Sequence, residues 1–257
     1  PWQQGERGRK YYNEQAVSED PLNYRRHHLN EWVTSQDQLI QMPLWDRLVD
    51  EKRHERKGKL TVVLSVDAAV SGDCTALDVV TFDYELGGVV ELETNIWEPP
   101  KGGKLDYGDT LEPAIVDCFE RYHVICVAYD PYQLHDMMTR LSKAKATRGA
   151  EYYAFPQGNE RVLADTNLVS RIRQGTIWHS GNAMLREHVQ NADGKAVGDS
   201  GIRIVKRATG KHVDGVVALS MGAWKCFELL GQKAQSPVVR TKVSYGWQKR
   251  NRSMPSS

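Results

Sequence analysis

The run Leu60-Thr-Val-Val-Leu-Ser-Val66 holds no charge and ends at Asp67. A β-branched stretch without polar alternation predicts a central strand over 60–66, buried on both faces. Strands follow over 76–84 and 88–97, and the Glu85-Leu-Gly-Gly88 turn between them marks a hairpin. The pattern then changes period. A helix over 110–122 leads to a second apolar strand, 124–129, which ends at Asp130. Further helices are expected over 134–145, 159–174 (stopped by Gly175), 181–191 and 213–230. Short strands are expected over 152–155, 177–179 and 202–205, with a glycine-bearing loop over 194–201. Three strands in hairpin style followed by alternating helix and strand predict an α/β fold. Its mixed sheet has an antiparallel part followed by parallel strands, with helices on both faces.

Residues 1–58 read differently. They are polar, punctuated by tryptophan and rich in charge, and helices are expected over 21–32, started by Ser18-Glu-Asp-Pro, and over 43–56. This stretch reads as a helical lead-in packed on a main domain of 59–232. Residues 233–257 carry Lys233, Arg240, Lys242, Lys249, Arg250 and Arg252 with no acid, a basic tail that is solvated or touches nucleic acid. The N-terminus has neither an initiator Met nor a signal-peptide layout, which suggests a processed chain or an excised fragment.

Composition adds bounds. The 257 residues, 40% hydrophobic and 26% charged, suffice for one large core with an appendage. The net charge of +1 makes any nucleic-acid contact a matter of local patches. No apolar run reaches transmembrane length. Cys74, Cys118, Cys126 and Cys226 form no CxxC pair, so the sequence reads them as buried thiols in a reducing compartment and gives no zinc signature.

The candidate chemistry lies in the acids. A carboxylate at the tip of a buried strand is costly unless something neutralises it. Asp67 and Asp130 both end strands expected to run parallel and adjacent, and ligands of open α/β sheets bind beyond such carboxyl ends. Asp214 opens the last helix. Any one of the three alone reads as a turn or cap residue, but converging carboxylates make a hard-cation site. Asp73, in Ser71-Gly-Asp-Cys-Thr75, is a fourth candidate, while Asp78 and Asp83 are expected to face solvent. There is no GxxxxGK[ST] and no GxSxG. His188 is a candidate for touching the site or a nucleic acid. Basic residues for phosphate contact are Lys206, Arg207, Lys211, Arg148 and Arg161, with Arg171 and Arg173 behind them.

These motifs resemble, in order, the nuclease motifs of the large terminase subunit of tailed bacteriophages. Val63-Leu-Ser-Val-Asp-Ala-Ala-Val-Ser-Gly-Asp-Cys-Thr-Ala76 is similar to the first, Val127-Ala-Tyr-Asp-Pro-Tyr-Gln133 to the second, and Lys211-His-Val-Asp-Gly-Val-Val-Ala-Leu-Ser-Met-Gly222 to the third. His179-Ser-Gly-Asn-Ala-Met-Leu-Arg-Glu-His-Val-Gln-Asn191 resembles a segment between them. Leu29-Asn-Glu-Trp32 resembles the link from an ATPase domain.

The resemblance implies a ribonuclease-H-like nuclease domain that cuts concatemeric viral DNA during genome packaging, here without its ATPase motor. It implies Asp67, Asp130 and Asp214 as catalytic residues holding two divalent ions, Mg²⁺ or Mn²⁺, with Asp73 at a position that is acidic in some members. The implied partners are double-stranded DNA, the small terminase subunit, the portal and the ATPase domain of the same polypeptide. The implied location is the cytoplasm of the infected bacterial host, transiently at the procapsid portal. Two other classes stay open on the residues alone: a junction-resolving or transposase-type nuclease with the same acidic triad, and a non-catalytic docking module whose aspartates are caps.

Overall fold

Val62, Val63, Leu64, Ser65 and Val66 are all 0% exposed. A strand so fully covered needs packing on both of its faces, and the architecture supplies it. The structure is a computed structural model that describes Lys10 and residues 38–50, 58–68, 74–100 and 102–232. The expected helix over 21–32, Asp73 and the basic tail lie outside the described residues.

A short helix, α1 (Met42–Asp46), comes first, then β1 (Thr61–Ala68), β2 (Thr75–Asp83) and β3 (Gly88–Trp97). Helix α2 (Leu111–Arg121) leads to β4 (His123–Tyr129), α3 (Pro131–Lys143) and β5 (Glu151–Ala154). Helix α4 (Asn159–Gln174), β6 (Ile177–Trp178) and α5 (Ala183–Gln190) follow. A hairpin of β7 (Ala192–Val197) and β8 (Gly201–Lys206) then precedes α6 (Asp214–Cys226), which runs into a π-helical turn, Phe227–Gly231. The main sheet has the order β5-β4-β1-β2-β3-β6. Strands β1, β2 and β3 pair antiparallel, while β4 joins β1, β5 joins β4 and β6 joins β3 in parallel. The mixed sheet read from the sequence is therefore present, and β1 is central to it.

Two apolar layers sandwich this sheet. Val62, Leu64, Val66, Leu77 and Val79 pack with α2 and α3 residues such as Leu111, Ile115, Leu134 and Met138. Val63, Val80, Cys126 and Ala128 pack with α4 and α6 residues such as Leu168, Ile172, Leu219 and Met221. Helix α6 is buried along nearly its whole length, which explains why its sequence is apolar all round. At Gly222 the helix lies so close to the sheet that a Cβ would collide with the Ser65 side chain and come within 3.3 Å of Val80.

Three expectations change. Residues 194–201 are not a loop: they belong to the β7–β8 hairpin, turned at Gly198 with φ +60°. Of the helix expected over 43–56, residues 51–56 lie outside the described residues, and the described part ends at Asp46 because the chain then bridges to the main domain. Val49 pairs with His179, Asp50 N–H donates to the His179 carbonyl at 2.8 Å, and His179 N–H donates to the Leu48 carbonyl at 3.0 Å. Asp78 does not face solvent. It is 0% exposed, because β2 is covered on both faces. Asp83 is half-buried and accepts from the Glu85 and Leu86 N–H groups of the hairpin turn.

Candidate active site

The register of β1 and β4 brings the first two acids together. Val66 pairs with Tyr129, and the Asp130 N–H donates to the Val66 carbonyl at 3.1 Å, so Asp67 and Asp130 leave the sheet side by side. Asp67 is two residues beyond Ser65 and therefore shares its face, the one under α6. Across the sheet, Asp67 pairs with Ala76 and Ala76 with Ile96. A Cβ on Gly215 would sit 3.0 Å from Ile96. The first turn of α6, with Asp214 at its head, thus lies over the same end of the sheet.

The three carboxyl groups act on one another. Burial pushes the Asp67 carboxyl up to about 8; Arg161 pulls the other way, and the charges of Asp214, Asp130 and Asp165 add to the rise. Asp130 also caps α3, accepting from the Tyr132 N–H at 2.9 Å. This is the cap role that the sequence offered as the plain alternative, and it leaves the Asp130 charge still felt at Asp67. Asp214 is 4% exposed, with His212 Nδ1 3.9 Å from its Oδ2. His188 is buried behind it and accepts from the Gly215 N–H through Nδ1 at 3.0 Å, which fixes the first turn of α6.

Asp165, which the sequence reading did not single out, is 0% exposed beside this cluster. One of its oxygens accepts from Arg161 Nε at 2.8 Å and Ser220 Oγ at 2.6 Å, and the other from the Ile204 N–H at 2.8 Å. It therefore ties α4, α6 and β8 together. The signal for it was the Arg161/Asp165 spacing of four on one helix. A second buried group lies deeper in the sheet. Thr94 Oγ1 donates to Asp78 and, at 3.1 Å, to Glu91, and Glu91 also accepts from the Ser180 N–H at 2.7 Å. Burial, then the Glu91 charge, holds Asp78 well above the usual carboxylate range.

The basic candidates divide by position. Lys211 is exposed in the turn that leads directly to Asp214. Lys206 is exposed at the base of the hairpin, and Arg207 is half-buried there, with its N–H bound to the Asn191 carbonyl at 3.0 Å. Arg161 is 3% exposed and ion-paired with Asp165, so it neutralises the acidic cluster from inside and is not a rim residue. Arg148 is exposed but precedes β5, at the end of the sheet away from Asp67 and Asp130. Arg171 is buried against the Phe227 ring at 3.9 Å. Arg203, on β8, was not a candidate. Its half-buried guanidinium bonds the Gln157 carbonyl at 2.5 Å and feels the charges of Asp165, Asp130 and Asp67.

The charges of Asp130 and Asp214 both bear on the buried Asp67, and a hard divalent cation would relieve that repulsion. Asp67, Asp130 and Asp214 offer oxygens of the class that could hold such an ion.

The family described as "Terminase large subunit, endonuclease domain" matches residues 89–228, more than half of the chain. The matched span holds Asp130 and Asp214, and Asp67 lies ahead of it on the neighbouring strand. The gene 13 proteins of Mycobacterium phages D29 and L5 are each 27% identical, over 237 and 236 residues, covering 82% of this chain and 39% of theirs. The chain thus spans about two fifths of the length of these curated relatives. Among solved structures, the HK97 bacteriophage large terminase matches with a TM-score of 0.61 at 17% identity, over 86% of this chain and 51% of that one. The large terminase nuclease of thermophilic phage G20c, solved with bound magnesium, matches with a TM-score of 0.52 at 12% identity, over 75% of this chain and 98% of that one. At these identities the two structures speak to the fold, which they share with this chain. The family model covers more than half of the chain, and this chain belongs to the family of terminase large subunit endonuclease domains.

Proposed function

We propose that this chain is a metal-dependent DNA endonuclease that cuts concatemeric viral DNA during genome packaging. The observation that carries the reading is the placing of Asp67 and Asp130 side by side at one sheet end with the head of α6 over them, where burial pushes the Asp67 carboxyl up to about 8 and the charges of Asp214 and Asp130 add to the rise. The magnesium in the G20c nuclease supports divalent-ion dependence here as well. Asp67, Asp130 and Asp214 would hold two Mg²⁺ or Mn²⁺ ions, and Asp73, six residues after Asp67, would complete the set. When bound, such ions would supply Lewis acidity on the phosphodiester and an activated water.

The chain's own groups set the stage. Asp130 is oriented by the Tyr132 N–H, and Asp214 by the α6 turn that His188 fixes. Arg161 balances part of the charge from within. Arg203, Lys211, Lys206 and Arg207 would take phosphates on the approach, and non-specific cutting fits contacts to the backbone rather than to bases.

In the whole polypeptide, residues 1–58 would lead in from an ATPase domain, 59–232 would form the nuclease and 233–257 a basic tail. The small terminase subunit and the portal would be its partners, in the cytoplasm of the infected bacterium. The test is incubation of supercoiled plasmid with the protein in EDTA, Mg²⁺ or Mn²⁺, alongside Asp67→Asn. Cutting by the wild type with metal alone, lost by at least about a thousandfold in the variant, is expected. Full cutting by Asp67→Asn would overturn the assignment of roles.

A further inference from the structure

Cys74 is a buried free thiol, as the sequence predicts, but it does not stand alone. Cys74 immediately precedes Thr75 and is 0% exposed. Its sulfur, an imidazole nitrogen of His212 and a carboxylate oxygen of Asp214 all lie within 4.8 Å of one another. Among the described residues this is the one group of three such donors so close together. The donors come from two elements that the sheet and α6 hold rigidly, the head of β2 and the head of α6. Cys74 and Asp214 form a buried floor, and half-buried His212 stands at the solvent side.

We infer that Cys74, His212 and Asp214 form a second metal site, one that takes a borderline or soft divalent cation such as Zn²⁺ or Co²⁺. The donor set argues for that class. Thiolate, imidazole and carboxylate together are a three-ligand tetrahedral set that leaves its fourth position to water, whereas Mg²⁺ avoids sulfur and imidazole and requires near-octahedral oxygen. No zinc signature is visible in the sequence because Cys74 lies more than a hundred positions before His212 and Asp214 and meets them only through the fold.

The site has a consequence for the proposed nuclease, and this part rests on that reading. Asp214 belongs to both donor sets. A cation held by Cys74 and His212 draws Asp214 away from the hard-metal pair, so Zn²⁺ inhibits cutting that Mg²⁺ or Mn²⁺ supports. The Irving–Williams order favours the inhibitor at such a site.

Cobalt is the probe, because a cobalt–thiolate bond has its own near-ultraviolet charge-transfer absorption. Chelator-treated full chain is titrated with Co²⁺ in excess Mg²⁺, with Cys74→Ser and His212→Ala in parallel. Expected are a charge-transfer band that saturates at one equivalent in the wild type, its loss in Cys74→Ser, and an affinity lowered by about tenfold or more in His212→Ala. No band in the wild type, or an undiminished band in Cys74→Ser, overturns the site. His212 lies in a half-exposed turn, so its variant carries the test if Cys74→Ser does not fold. Unchanged cobalt affinity in His212→Ala would then overturn the site. Plasmid cutting in Mn²⁺ with added Zn²⁺ is read on the same preparations. The wild type is expected to be inhibited at a Zn²⁺ concentration about tenfold or more below that needed for His212→Ala. Equal inhibition of both would overturn the shared-ligand claim. A wild type that shows the cobalt band but does not cut in Mn²⁺ would count against the nuclease reading and leave the metal site standing.

Discussion

Asp78 shows how a single buried acid shapes the pH response of this protein. Its Oδ2 is buried with no hydrogen-bond partner among the described residues, and its neighbour across β3 is a second acid, Glu91. Burial and that neighbour raise its pKa in the folded state above the ordinary value of 3.8. Below about pH 4 the group is protonated folded or unfolded. As pH rises further, the unfolded chain gives up this proton while the folded one keeps it, so this stabilising contribution falls with pH until the folded pKa is passed. Asp78→Asn should therefore gain stability over the wild type as pH is raised from 4 to 8, measured by thermal unfolding in EDTA. A difference in Tm that does not change with pH would contradict this account. The residue scale also shows what the sequence carried. Asp67, Asp130 and Asp214 were legible because an acid at the end of an uncharged run stands out. Asp78, Glu91 and Asp165 were not, because each is held by hydrogen bonds from groups remote in sequence: Thr94 for Asp78, Ser180 for Glu91, and Ser220 and the Ile204 N–H for Asp165, whose one local mark is the Arg161 spacing.

Helix α6 is the element on which the site depends. It spans the sheet from the Asp214 end to Gly222 above Ser65 and is locked to α4 and β8 through Asp165. Removing Asp165 would leave Arg161 buried without its counter-charge, a change that typically costs about 3–5 kcal/mol. Asp165→Ala should show that loss in urea unfolding, and replacing Arg161 and Asp165 together by Met and Leu should recover much of it. A single variant as stable as the wild type would remove the network from the account. Element types were largely legible, since β1 to β4 and the helices between them follow clear periods. The β7–β8 hairpin was missed because most of β7 is exposed and polar, with no buried stripe to mark a strand. The early end of α1 was missed for a different reason: the chain at Val49 and Asp50 pairs with His179, far along the sequence.

At the scale of the molecule, residues 38–50 are part of the same core as the sheet. Trp45 is 0% exposed, stacks on His179 at 3.9 Å and accepts at its carbonyl from the ring at 2.9 Å, while Arg186 bonds Asp46 at 2.7 and 2.8 Å. Residues 38–50 are thus packed on the α4–α6 layer, where α5 also lies. The net charge of +1 gives no general attraction for DNA, so binding should depend on a few cations near Asp214. Lys211→Glu should weaken duplex binding across all sequences and flatten its salt dependence by at least about one in log–log slope. Fluorescence anisotropy over a range of salt concentrations reads both, and an unchanged slope would move the DNA path elsewhere.

In the proposed nuclease, Asp67, Asp130 and Asp214 would hold two divalent ions at this sheet end. Anomalous diffraction from crystals of the protein with Mn²⁺ and a non-hydrolysable DNA duplex tests it most directly. Two manganese peaks among these three carboxylates, with a phosphate between the ions, is the predicted result. DNA bound elsewhere, with no manganese at Asp67, would contradict the account.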